Sequence, residues 1–226
     1  MTPENATPDA PAPDAPAPDA PAPDAPGTAP GAQRPGGRTA RVRAAVLRAA
    51  EDALVEVGFA GLDLGDLARR AEVGRTTVYR RWGSTGALMA DLLADMAEQS
   101  LPRARTGSLR NDLRANARLV ARTLADPRQG ALFRAVLVAA TCDEAAAEAL
   151  HRFYLVRVAE WAPCVADAVE RGELPPDTDP FEVVRAVSAP LYYRMLTTGD
   201  PLDEAAADRA ADAAEAAARA GAYRRA

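Results

Sequence analysis

Apolar residues recur every three to four positions along most of the chain after Thr39, which is the spacing of an amphipathic helix. The first of these segments ends at Gly58, and glycine commonly follows the last turn of a helix. Its apolar positions are Val42, Val46, Ala50, Ala53, Leu54 and Val57. No segment shows the sustained two-residue alternation of a β-strand. The pattern therefore predicts an all-α fold with about nine helices.

A pair of short helices is predicted next, joined by a tight turn. Asp63 is suited to cap the first of them, which runs through Ala71, and residues 75–81 form the second. The residues between them are Glu72, Val73 and Gly74. Two short helices around a three-residue turn are typical of a helix-turn-helix, which we place at about residues 63–82.

The remainder of the chain is also predicted to be helical. Ser108 and Asp126-Pro127 mark two helix starts, and Pro163 is expected to kink the longest helix. The predicted helices span about 87–100, 109–124, 127–140, 143–171, 180–198 and 202–220. We therefore expect a three-helix N-terminal domain at 38–98 and a larger C-terminal helical domain at 99–226.

The first 37 residues differ in composition from the rest. Eleven of the 19 prolines fall before Val42, and Pro-Asp-Ala-Pro-Ala is repeated from Pro8 onward. A segment with so little to bury is predicted to be disordered, with a bias to the polyproline II conformation. Its acidic residues suit either an arm that competes with DNA for a basic surface or a tolerated low-complexity extension, and we favour the extension.

Charge is distributed unevenly along the chain, whose net charge is -5 and whose 27 basic residues are all arginine. Residues 1–33 carry five acids and no base. Residues 38–84 carry nine arginines against six acids, a sum of +3, and residues 85–226 carry 17 arginines against 21 acids, a sum of -4. A basic N-terminal module thus precedes an acidic C-terminal one, which favours nucleic acid as the partner of the first.

The second helix of the predicted motif carries the candidate DNA contacts. Between Gly74 and Ser84 there is no acidic residue, and the polar side chains are Arg75, Thr76, Thr77, Tyr79, Arg80 and Arg81. Arginine binds guanine edges or phosphate oxygens, and threonine reaches either. Val78 is expected to face inward and fix the angle between the two helices. An arginine-rich helix can also be a plain solvated face, so this pattern alone leaves both interpretations open.

The wider sequence context resembles the DNA-binding domain of TetR-family transcriptional regulators. The matching positions are Leu47, Ala49 and Ala50, Gly58-Phe59, Asp66 to Ala68, Ala71, Val73, Thr77 to Trp82, and Ser84. A looser similarity, at 171–175 and 190–194, extends to the C-terminal half of one branch of that family. The resemblance implies a homodimer whose last two helices form a four-helix bundle. It also implies a pocket in the larger domain for a small-molecule effector that releases DNA when it binds.

Roles for individual residues follow from this resemblance. Positions that contact DNA in the family, or frame that contact, are matched here by Thr77, Tyr79, Arg80 and Trp82. Arg75 and Thr76 match variable positions that often set specificity. With neighbouring arginines added, the expected DNA-binding set is Arg41, Arg43, Arg75, Thr76, Thr77, Tyr79, Arg80, Arg81 and Trp82.

Four positions depart from the family pattern. Glu72 stands where the family usually has a turn glycine, so either a left-handed backbone there costs about 1 kcal/mol or the turn is changed. Gly74 replaces a Ser or Thr cap, and glycine caps a helix nearly as well as those residues do. Asp63 replaces a phosphate-contacting Thr or Ser, and Thr85 replaces a common lysine. Binding is therefore expected to rest more on Arg41, Arg43, Arg80 and Arg81.

The C-terminal half offers a candidate pocket but no catalytic site. Aromatic residues at helical spacing fit either an effector pocket or ordinary core: Phe133, Phe153, Trp161 and Tyr192, with Met195 beside them. His151 is expected to be a core or surface residue, and Cys142 and Cys164 to be small buried residues. No cofactor or metal site is expected.

These observations predict a ligand-responsive repressor that binds a palindromic double-stranded DNA operator as a homodimer, in the cytoplasm, with no membrane segment. An enzyme is disfavoured because the sequence has no glycine-rich phosphate loop, HExxH or GxSxG motif. The alternative is a dimeric helical small-molecule binder or scaffold that has lost DNA affinity, for which Asp63 and Thr85 are the hints. The effector is not identifiable from the sequence.

Overall fold

The computed structural model describes residues 35–99 and 104–225, and helices account for most of them. In chain order the helices are α1 Pro35–Val57, α2 Leu64–Arg70, α3 Arg75–Arg81, α4 Thr85–Glu98, α5 Leu109–Ala125, α6 Pro127–Cys142, α7 Glu144–Glu170, α8 Pro180–Tyr193 and α9 Glu204–Arg219. No strand occurs within the described ranges. The predicted all-α fold is confirmed, and the prediction for the Pro-rich tail lies outside the described residues.

Side-chain caps begin several helices where the sequence predicted them. Asp63 accepts a hydrogen bond from the backbone N–H of Asp66 at 2.8 Å, at the start of α2. Ser108 and Asp126 accept equivalent bonds at the starts of α5 and α6. Each cap satisfies an amide that has no partner inside its helix, so a short polar residue at that position locates the helix start.

Some helix ends differ from the prediction by a few residues. α1 begins at Pro35, four residues before Thr39, and α4 begins at Thr85, with Ser84 accepting the Ala87 amide at 3.1 Å. The apolar stripe marks only the buried face, and an exposed first turn contributes nothing to it. Proline suits a first turn because its missing amide would be unpaired there. α8 continues into a π-helical turn at Arg194–Thr198.

The helix-turn-helix is held in place by the same apolar core that runs through the rest of the described chain. Val46 and Leu54 of α1, Leu67 of α2 and Val78 of α3 are all buried in it. The inward orientation predicted for Val78 is confirmed. Burial of these side chains fixes α3 against α1 and α2, leaving its opposite face in solvent.

Helices α5 and α9 pack together through a ladder of ion pairs beside an alanine-rich face. The three pairs are Arg110 with Glu215 at 2.9 Å, Arg114 with Asp212 at 2.7 Å and Arg118 with Asp208 at 2.7 Å. Arginines four residues apart lie on one side of α5, and their partners run in the opposite direction along α9. This ladder ties the C-terminal helix to the centre of the larger domain.

A second set of ion pairs joins the C-terminal helices to α1. Arg128, in the first turn of α6, lies 3.3 Å from Glu51 and 2.6 Å from Asp52 of α1.

Among the helices in the described ranges, none is both long and apolar enough to cross a membrane.

Candidate nucleic-acid interface and effector pocket

The turn between α2 and α3 adopts a left-handed conformation at a residue that is not glycine. Glu72 has φ 54°, and its backbone N–H donates to the carbonyl of Arg69 at 3.1 Å. The next amide, of Val73, donates to Ala68 at 2.9 Å and closes the end of α2. The strain expected from the sequence is therefore present, at a cost of about 1 kcal/mol. The turn keeps the geometry that a glycine would give it.

The outer face of α3 presents the polar residues that the sequence singled out. Arg75, Thr76 and Tyr79 are exposed, and Thr77 is half-buried at the edge. The Arg75 guanidinium lies 5.3 Å from the centre of the Tyr79 ring, and its Nη2 donates to the tyrosine hydroxyl at 3.4 Å. This cation–π contact holds two long side chains together on the surface.

Arg80 and Arg81 end this face with positive charge that is little compensated. Within the described residues Arg80 forms no ion pair, and Arg81 approaches Asp91 only at 3.9 Å. The Arg81 guanidinium also lies 5.3 Å from the centre of the Trp82 ring. By contrast, Arg70 of α2 is paired with both Asp66 and Glu56.

A groove runs between the start of α1 and α3. Its lining consists of Arg38, Thr39, Val42, Glu72, Val73, Gly74, Thr77, Arg80 and Arg81. It thus brings three cations together with a single carboxylate. Arg38 was missed by the sequence reasoning because it precedes the predicted helix start at Thr39. Arg41 is exposed nearby and donates to the backbone carbonyl of Gly37 at 3.2 Å.

Two residues of the predicted set lie behind this surface. Trp82 is only 8% exposed, and its indole N–H donates to Asp91 of α4 at 2.9 Å. Arg43 donates to Asp91 at 2.8 Å and also pairs with Asp95. The expectation that Arg43 faces DNA is thereby corrected, since two α4 carboxylates hold its half-buried guanidinium. Arg43 and Trp82 instead link α1 and the end of α3 to α4.

Asp91 is the acceptor at the centre of this junction. Burial raises the pKa of its carboxyl, but the hydrogen bonds from Arg43 and Trp82 outweigh burial, and the pKa lies below its ordinary value. The carboxylate is therefore ionised at neutral pH. It fixes the position of the helix that follows α3.

The larger domain contains a pocket of about 90 Å³ between α5, α6, α7 and α8. All four predicted pocket residues line it, namely Phe133, Phe153, Trp161 and Tyr192. The sequence reasoning did not single out three polar residues of the lining, Asn116, Tyr154 and Arg157. For Tyr154 a signal existed, because it follows Phe153 on the apolar face of the predicted helix.

Three other residues have no place in either site. His151 is exposed on α7 and lines neither the groove nor the pocket. Cys164 is buried as predicted. The prediction for Cys142 was wrong, because it lies exposed in the last turn of α6, where the helix ends and its neighbours no longer cover it.

The sequence matches two family models that together cover most of the described chain. The model for bacterial regulatory proteins of the tetR family matches residues 46–92, and the model for the tetracyclin repressor-like C-terminal domain matches residues 103–214. The first covers the helix-turn-helix and the second covers the pocket.

Relatives and solved structures agree with these matches. The uncharacterized HTH-type transcriptional regulator YdeS of Bacillus subtilis is 30% identical over 156 residues, 69% of this chain and 78% of that protein. The DNA-binding transcriptional repressor TetR of Mycobacteroides abscessus is 30% identical over 165 residues, 72% of this chain and 86% of that protein. The crystal structure of the TetR family transcription regulator SCO0332 superposes with a TM-score of 0.62 at 29% identity, covering 78% of this chain and 97% of that one.

Proposed function

Because this chain belongs to the tetR family of bacterial regulatory proteins and is a helix-turn-helix transcriptional regulator, we propose that it acts as a ligand-responsive repressor, binding a palindromic operator as a homodimer. The observation that carries the proposal is the exposed face of α3, on which Arg80 has no carboxylate partner among the described residues. The proposed DNA contacts are Arg38, Arg41, Arg75, Thr76, Thr77, Tyr79, Arg80 and Arg81, with Trp82 framing them from behind.

The short length of α3 suits insertion into the major groove. Its amino-terminal residues Arg75 and Thr76 would reach base edges, while Arg80 and Arg81 would contact phosphates. Arg38 and Arg41, on the opposite wall of the groove and beside it, would hold the adjacent backbone. The Asp63 carboxylate is engaged in capping α2. It therefore has a structural role at a position that often contacts phosphate in the family.

An exposed apolar face on α8 supports the homodimer. Phe181 is 39% exposed, Tyr193 62% and Leu196 51% along α8 and its continuation, with the exposed ion pair of Arg185 and Glu182 between Phe181 and Tyr193. A second copy covering this face would remove large apolar side chains from water. Two copies related by a two-fold axis would place their α3 helices in successive major grooves, about 34–36 Å apart.

A cavity next to the effector pocket supports a response to ligand. It shares Phe133, Phe153 and Arg157 with that pocket. Its other wall includes Asp95 and Met96 of α4. An occupant that favours one position of α4 would shift the Asp95–Arg43 contact, and with it the position of α3. A ligand changes DNA affinity in this way only if it binds the two arrangements unequally.

A gel shift on DNA upstream of the gene and its neighbours tests the proposal. The Arg80→Ala/Arg81→Ala variant should bind at least about 100-fold more weakly than the native chain at moderate salt, since a dimer loses four cations. The matched control is Arg152→Ala/Arg171→Ala, which removes the same charge from α7 and the residue that follows it, far along the chain from α3. Among the described residues, those arginines pair with the nearby Glu148 and Glu173.

Loss of binding in the first variant but not in the control supports the proposal. Equal binding by all three proteins, repeated on DNA selected from the whole genome, contradicts it. That result would favour the alternative of a dimeric small-molecule binder without DNA affinity.

A further inference from the structure

Four aromatic rings in the effector pocket form a closed cycle of edge contacts. Phe133 lies 5.8 Å from Phe153, Phe153 5.3 Å from Tyr154, Tyr154 5.6 Å from Tyr192, and Tyr192 6.5 Å from Phe133, all between ring centres. The planes meet at 57° to 84°. Rings tilted in this way present both edges and faces toward neighbouring space, which is how aromatic side chains contact another aromatic ring.

One polar atom in this lining has no partner. The Tyr154 hydroxyl is buried and has no hydrogen bond of acceptable geometry among the described residues, although it interacts with the neighbouring Tyr192 hydroxyl. The hydroxyls of Thr123 and Ser188 in the same lining donate to the backbone carbonyls of Leu119 and Arg185 at 3.0 and 3.2 Å. A buried hydroxyl without a partner is uncommon, because its hydrogen bonds to water have been lost without replacement.

The pocket offers no uncompensated charge to an occupant. Arg157 pairs with Glu160, one turn further along α7. Burial raises the pKa of the Tyr192 hydroxyl to about 12, and burial likewise raises the pKa of Tyr154. Both phenols are therefore neutral at pH 7, and the Tyr154 hydroxyl is available as a donor. An ionised ligand would lose its hydration and find no free opposite charge.

We propose that the effector is a neutral, planar aromatic molecule that accepts a hydrogen bond from the Tyr154 hydroxyl. Its rings would pack among Phe133, Phe153 and Tyr192, and its carbonyl, ether or ring nitrogen would face Tyr154. This inference rests on the proposed role of the pocket as the effector site. It adds the chemical class of the ligand and the residue that selects it.

Equilibrium dialysis of the full chain against three probes tests the proposal. 2-Acetylnaphthalene carries the acceptor, 2-isopropenylnaphthalene has a similar shape without it, and 2-naphthoate is the charged analogue. The native protein should bind the ketone about tenfold more tightly than the alkene, because one neutral hydrogen bond contributes about that factor to the affinity. It should bind the carboxylate more weakly than the ketone.

The variant Tyr154→Phe should bind the ketone and the alkene equally. Its thermal midpoint should change little, because the hydroxyl has no hydrogen bond of acceptable geometry among the described residues. Tyr223→Phe is the control, since it makes the same chemical change at a residue outside the pocket lining. It should keep the tenfold preference.

Three results would overturn the inference: a ketone preference that survives in Tyr154→Phe, tightest binding by the carboxylate, or no binding of either neutral probe. Dialysis involves no DNA, so its outcome is separate from the gel shift. Failure here with an intact Arg80/Arg81 effect leaves the repressor proposal standing. Failure of the gel shift with a positive dialysis leaves a ligand-binding protein without DNA affinity.

Discussion

Helices α3 and α5 both carry clustered arginines, but their surroundings differ. On α5, Arg110, Arg114 and Arg118 each meet a carboxylate of α9 at 2.7 to 2.9 Å. On α3, Arg80 has no carboxylate partner among the described residues, and Arg81 has one only at 3.9 Å. The first cluster joins two helices, while the second leaves its charge on the surface.

This difference teaches that arginine density alone does not locate a nucleic-acid interface in this protein. Arg69 and Arg70 in the helix-turn-helix are as close in sequence as Arg80 and Arg81, yet both pair with Asp66. A cation that already has a carboxylate partner contributes little binding free energy when it contacts a phosphate, because one ion pair replaces another. The arginines without a close carboxylate partner are therefore the ones that we propose as DNA contacts.

The largest expected effect concerns salt. Operator affinity should fall about 1000-fold between 50 and 200 mM salt, the behaviour of proteins with several phosphate contacts. For the Arg80→Ala/Arg81→Ala dimer, the slope of log affinity against log salt should be less steep by about 3 to 4, one unit for each lost contact. Fluorescence anisotropy across a salt series measures both slopes. Equal slopes would mean that these arginines contact no phosphate.

The paired arginines should act on stability instead. Glu215 is 4% exposed and has two cations, Arg110 and Arg219, each at 2.9 Å. The variant Arg110→Ala/Arg219→Ala leaves a buried carboxylate unpaired and should lower the free energy of unfolding by about 2 kcal/mol. Adding Glu215→Gln should recover most of that loss, as urea denaturation would show. Absence of recovery would mean that the arginine stems, not the charges, stabilise the packing.

The turn that sets the angle of α3 should respond to relief of its strain. Glu72→Gly removes the left-handed strain and should stabilise the fold by about 0.5 to 1 kcal/mol, whereas Glu72→Ala should not. Both variants remove a carboxylate from the groove that holds Arg80 and Arg81, so both should bind DNA about two- to threefold more tightly. Thermal unfolding and anisotropy separate the two effects. Equal stabilisation by both variants would exclude backbone strain as the cause.

The smallest expected effect is the pH dependence at the junction behind α3. The pKa of Asp91 is lowered, so its contribution to stability is complete above the unfolded value near 3.9 and is lost as the pH falls through the lower folded value. The stability difference between the native chain and Asp91→Asn should be constant above about pH 5 and shrink below pH 4. Solvent partly screens this site, so the change is modest. A difference independent of pH would mean that the charge of Asp91 contributes nothing.

Much of the fold could be predicted because its signals are local. The caps at Asp63, Ser108 and Asp126 and the apolar period gave the helices and their order. At Glu72 the sequence left open either a left-handed backbone or a changed turn, and the structure shows the left-handed backbone. Errors arose where burial depends on distant residues: Arg43 was expected at the DNA but meets Asp91, 48 residues away.

The helices, the helix-turn-helix and the residues of its outer face are encoded locally, since hydrophobic period, caps and turn chemistry act within a few residues. The tertiary structure decided which arginines are neutralised, because Arg114 finds its partner Asp212 98 residues along the chain. It also brought Phe133, Phe153, Tyr154 and Tyr192 from three helices into one pocket and left the Tyr154 hydroxyl without a partner. Burial and charge pairing depend on which helices pack together, and only the folded chain sets that packing.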